Sequence, residues 1–149
     1  MAEKRNVLET ILAILLMVVT VFLFSTWGYQ SVQYILSRMF DVQNNTTIYD
    51  LLIGVIAIVS SIFVFTGATL IWKMKSSVSK WITMGAIGFL LKNVLDIIND
   101  VIPLFRANQV TTFDISSASW QIAADVFQFA FWIFIIIYFN RDSFRNKLS

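Results

Sequence analysis

The sequence predicts an all-α membrane protein: a four-transmembrane-helix up-down bundle with both termini cytoplasmic and a short amphipathic interfacial helix between helices 1 and 2. Three observations predict it. Hydrophobic residues make up 58% of the 149 positions and charged residues only 13%, where a soluble domain is about half apolar and roughly a quarter charged. Four stretches, residues 7–29, 49–72, 81–103 and 119–139 in round terms, reach the ~20 apolar residues that a bilayer core requires. Finally, the basic residues segregate. With four spans, Lys4, Arg5, Lys73, Lys75, Lys80, Arg141, Arg145 and Lys147 fall on one side, and only Arg38 and Arg106 on the other, which is the positive-inside pattern. The whole of residues 1–149 reads as a single transmembrane domain.

Taken in order, the first span follows Lys4 and Arg5. It is too long for a signal-peptide core and no A-x-A-like cleavage site follows it, so a retained helix is expected. Val32, Ile35, Leu36 and Met39 then recur at helical spacing, which suggests the interfacial helix. Asn44 and Asn45 each begin a glycosylation sequon, a pattern that also arises by chance. After the second span, the basic stretch KMKSSVSK is short enough to force spans two and three into a hairpin. Span three is the marginal one. Its eleven Leu, Ile, Val and Phe residues contribute about −0.3 to −0.6 kcal/mol each. Two central charges cost roughly 2.5 to 3.5 kcal/mol apiece. The sum is near zero, but without this span the tail from Arg141 to Lys147 would lie outside. Insertion is therefore expected with help from its neighbours. A polar outer loop from Arg106 to Ser119 follows, with Asp114, Ser116 and Ser117 as capping candidates for span four. Trp27, Trp72, Trp81 and Trp120 lie near expected span ends, where an aromatic belt would sit.

On a helical wheel, Gly85, Gly88, Lys92, Asp96, Asn99 and Asp100 share one side of span three. The two glycines are helix-packing candidates, since small residues let backbones approach. Gln121, Asp125, Gln128 and Trp132 form a matching stripe on span four. Counting ~1.5 Å per residue from each span's centre puts Asp96 and Asp125 level. Lys92 and Gln128 then fall near the midplane with Ser60 and Ser61, and Thr20 slightly outside that layer. These charged faces should meet inside the bundle, because facing lipid would cost too much. Lys92 bridging Asp96 and Asp125 would make the cluster structural glue. Two or three carboxylates around one lysine also leave an excess negative charge, which a shared proton or a bound cation would balance.

Several chemistries are excluded by absence. Without cysteine or histidine there is no thiol nucleophile, no thiolate or imidazole ligand and no default general base. No metal and no cofactor is expected. A net charge of +2 gives no case for nucleic acid. No G-x-S-x-G elbow, P-loop or dinucleotide turn occurs. Glu9 reads as an interfacial charge; a cation-exchanging glutamate like that of small multidrug transporters would sit deeper. Asn93-Val-Leu-Asp96 and Gln121-Ile-Ala-Ala-Asp125, on spans three and four of a chain with both termini inside, resemble the N-x-x-D and F-N-x-A-D stretches of lipoprotein signal peptidase. That resemblance implies an aspartyl intramembrane peptidase with Asp96 and Asp125 as its pair. It departs from the family at Ile97, where an arginine is expected, in the asparagine missing before Asp125, and at STWGYQ, which lacks the D-Q motif.

The resulting expectation is a non-enzymatic small integral membrane protein. It would act as an accessory or assembly subunit of a homo-oligomer or larger membrane complex in a prokaryotic cytoplasmic membrane. Its partners would be the lipid bilayer and itself or other membrane subunits. The alternative is a small transporter or channel moving a cation or proton through the same cluster.

Overall fold

The computed structural model describes residues 7–40, 48–73, 75–106 and 112–146, and the side chains of all these except 100–106 and 112–118. The described residues form helices and connecting turns only: α1 Val7–Met39, α2 Ile48–Trp72, α3 Val78–Arg106, α4 Thr112–Asn140 and a single turn, α5 Asp142–Arg145. Four of them, Val7–Met39, Ile48–Trp72, Val78–Asn99 and Ser119–Asn140, are long and apolar enough to cross a membrane. They mark a small integral membrane protein.

Successive helices pack against one another, α1 on α2, α2 on α3 and α3 on α4. Their common core joins Leu12 and Leu16 of α1, Val64 and Ile71 of α2, Ile82 and Phe89 of α3, and Trp132 and Phe139 of α4. Helix α2 has α1 on one side and α3 on the other, and small residues line its buried surface: Gly54, Ala57, Ser60, Ser61, Gly67 and Ala68. Small side chains are what close helix approach in a membrane requires, since lipid offers no hydrophobic drive to push helices together.

Two element boundaries differ from the expectation. The separate interfacial helix is not formed. Val32, Ile35, Leu36 and Met39 belong to the last turns of α1, and the Phe40 N–H closes the final turn on the Leu36 carbonyl at 3.0 Å. The only glycine in α1 is Gly28, which holds an ordinary helical place, and no proline interrupts the helix. Nothing therefore breaks the backbone ladder where the hydropathy falls. At 33 residues, α1 is ~50 Å long and outreaches a ~30 Å hydrocarbon core. Likewise α4 begins at Thr112, so Asp114, Ser116 and Ser117 lie within its first turns rather than in a loop ahead of it. Asn44 and Asn45 lie outside the described residues.

The end of the chain folds back. Phe144 of α5 is buried and meets Phe139 edge-on at 4.9 Å, with Tyr138 at 6.1 Å. A one-turn helix has little stability of its own, so this aromatic anchor holds it in place.

Candidate functional site

The buried ion pair is set by α3 alone. Lys92 and Asp96 are four residues apart and therefore adjacent on one helix face, and Lys92 Nζ contacts Asp96 Oδ2. The lysine side chain is 6% exposed and the aspartate 18%, so both charges are largely removed from solvent. A third group completes the arrangement: Lys92 Nζ lies 5.0 Å from the ring centroid of Trp27 on α1. A desolvated cation over an indole face is worth about 2 kcal/mol, and this contact links α1 to α3, which otherwise pack on α2 from either side. Beside it, the Tyr49 hydroxyl donates to the Leu95 carbonyl at 2.8 Å, latching the start of α2 to the same turn of α3. Trp27, expected in the interfacial belt, sits instead in mid-helix against an internal charge.

Three contacts set the register of α3 against α4. Phe89 stacks on Trp132 with centroids 4.4 Å apart and planes at 11°. Ser79 Oγ donates to Asn140 Oδ1 at 2.7 Å, and Asn140 Nδ2 donates to Thr83 Oγ1 at 2.7 Å. Because the helices run antiparallel, seven residues up α3 from Phe89 matches seven residues back along α4 from Trp132. This makes Asp96 level with Asp125, Asn93 level with Gln128, and position 100 level with Gln121. Asp125 is buried and Gln128 half-buried, whereas Gln121 and Asn99 are exposed. The Asp100 side chain lies outside the described residues.

Helix α3 runs Val78–Arg106, and Lys92 stands at its middle. Ser60 is level with Gly88, a turn nearer the termini than Lys92: a Cβ on Gly88 would collide with Ser60 Oγ. Ser60 and Ser61 are not partners of the charges. Their hydroxyls donate back to Ile56 and Ala57 carbonyls at 2.6 and 2.8 Å, and Thr20 does the same to Leu16 at 2.6 Å, the usual way a helix satisfies a hydroxyl in an apolar setting. Gly85 lies against the α2 backbone, where an added Cβ would stand 2.7 Å from the Ser60 carbonyl oxygen and 2.8 Å from the Val64 nitrogen.

The packing of three features could not be read from the sequence. Asn93 is fully buried, with neither amide atom hydrogen-bonded to the protein; the sequence offered it only as the first residue of the N-x-x-D stretch. The Ser79–Asn140–Thr83 clamp joins α3 and α4 at the end of the bundle that holds the termini, and a polar residue closing an apolar run was its only trace. Glu9, expected as an interfacial charge, is buried at 2% exposure in the first turn of α1.

Chemically, the arrangement offers paired charge rather than reactivity. Peptidase chemistry of the aspartyl kind uses two carboxyls sharing one proton, whereas Asp96 already has a lysine as its counter-ion. Among the described residues no group of three His, Cys, Asp or Glu side chains could hold a metal ion. Compared with protein-family models, curated proteins and solved structures, the chain matches none of them.

Proposed function

We propose that the chain is a non-enzymatic membrane subunit that works in a homo-oligomer or a larger membrane complex, with Lys92, Asp96 and Asp125 holding the bundle together. The open face of α4 carries this reading. Ser119, Ala123, Val126, Ala130, Ile133 and Ile137 recur at alternating spacings of four and three and are all exposed. That is the seam of a helix that packs knobs into holes against another helix, and its small members suit close approach in lipid. Along the same helix a hollow of about 380 Å³ is lined by Trp120, Ala123, Ala124, Phe127 and Gln128. Lipid chains need no such relief; a side chain from a second helix fits it. The termini are cytoplasmic on this reading, supported by Lys73, Lys75, Lys80, Arg141 and Arg145, which are exposed together at one end of the bundle.

The chain has no cysteine, so a single introduced thiol reports contact cleanly. Ala123→Cys should form a disulfide-linked dimer on catalysed oxidation in native membranes, or a cross-link to a different subunit. Val55→Cys, on the exposed side of α2, should remain monomeric. The reading fails if Ala123→Cys stays monomeric and Ala123→Trp leaves the native complex size unchanged.

A second reading, cation or proton transport through the same cluster, is favoured by one observation. The fully buried Asn93 amide has no protein partner, as a group awaiting water or an ion would.

A further inference from the structure

We propose that the basic end of the bundle holds the phosphate headgroup of an anionic phospholipid between Lys80 and Arg141, with Lys73 and Lys75 beside it. The Ser79–Asn140 hydrogen bond, 2.7 Å long, joins residues that immediately precede Lys80 and Arg141, so it brings the two cations to one rim. The rim is fixed on both sides. In the α2–α3 turn, the Leu70 carbonyl accepts from the Lys73 and Lys75 N–H groups at 3.1 and 3.3 Å, and Val78 N–H returns to Lys75 at 3.1 Å. On the other side, Arg141 is the N-cap of α5 in an extended conformation and its side chain takes no part in the cap, while Phe144 pins α5 from within.

The five cations Lys73, Lys75, Lys80, Arg141 and Arg145 are exposed, and none forms an ion pair among the described residues. The carboxylates described at this end are Asp142, exposed next to Arg141, and the buried Glu9. With five cations to two carboxylates, the patch is net positive among the described residues. The exposed Trp72 beside it is a residue type that settles at headgroup depth, which favours a lipid phosphate over an ion from bulk water.

The test is extraction from membranes of phosphatidylglycerol mixed with phosphatidylcholine, followed by native mass spectrometry of the lipids retained. Phosphatidylglycerol should be retained in preference to phosphatidylcholine. Each basic group contributes roughly fivefold to partitioning onto an anionic surface. Lys80→Gln or Arg141→Gln alone should therefore lose about fivefold of that preference, and the double variant about 30-fold. Arg38→Gln, at the opposite end, should lose none. Equal retention of the two lipids, or a preference unchanged in both single variants, overturns the proposal. It is also overturned if inorganic phosphate raises the thermal midpoint in detergent as much as phosphatidylglycerol does, since the site would then read a free anion.

Discussion

Lys92→Met should destabilise the folded bundle by about 3–5 kcal/mol, and adding Asp96→Leu should recover most of that loss. The single change leaves the Asp96 carboxylate 18% exposed inside a membrane helix without its cation, and an uncompensated buried charge is among the most costly defects available. The double change removes both charges and substitutes apolar groups of similar length, which is often neutral. The remaining deficit should match the lost contact with Trp27, about 2 kcal/mol. Unfolding in mixed micelles, followed by Trp fluorescence, measures all three proteins. A Lys92→Met variant as stable as the parent would mean that the charges carry no structural role.

The second large effect is at Gly85. Gly85→Ala should cost about 3 kcal/mol, because the new Cβ meets backbone atoms of Ser60 and Val64 at 2.7 and 2.8 Å and two helices would have to separate to admit it. Gly88→Ala presents a different obstacle. Its Cβ meets the Ser60 hydroxyl, so Ser60→Ala in the same chain should relieve it. Gly28→Ala has nothing within 4 Å and should stabilise α1 by roughly 0.5–1 kcal/mol through helix propensity. The same unfolding experiment ranks them. Equal effects at Gly85 and Gly28 would remove the case for close α2–α3 contact.

The four helices were legible in the sequence because the bilayer demands long apolar runs, and hydropathy marks these directly. It does not mark where a helix stops. The C-terminal end of α1 and the start of α4 lie beyond the expected bounds because polar residues continue a backbone ladder as well as apolar ones do where no proline intervenes. The spacing of four between Lys92 and Asp96 could be read from one helix. Trp27 could not, because its place over Lys92 depends on how α1 and α3 sit around α2, and with the first span expected to end at residue 29 its indole read as a belt residue. Ser79 and Asn140 are 61 positions apart, and only the packed register brings them together. The burial of Asn93 was hidden for a related reason: the N-x-x-D stretch shows the residue, but only the register of Phe89 on Trp132 turns it toward α4.

Whether the buried cluster holds the bundle or moves something through it is tested most directly by flux. Purified wild-type protein in sealed liposomes, under a proton or sodium gradient, should leak no faster than empty liposomes. Gradient-driven flux through the wild type that vanishes in a folded Lys92→Met, Asp96→Leu variant would contradict the structural account and establish transport.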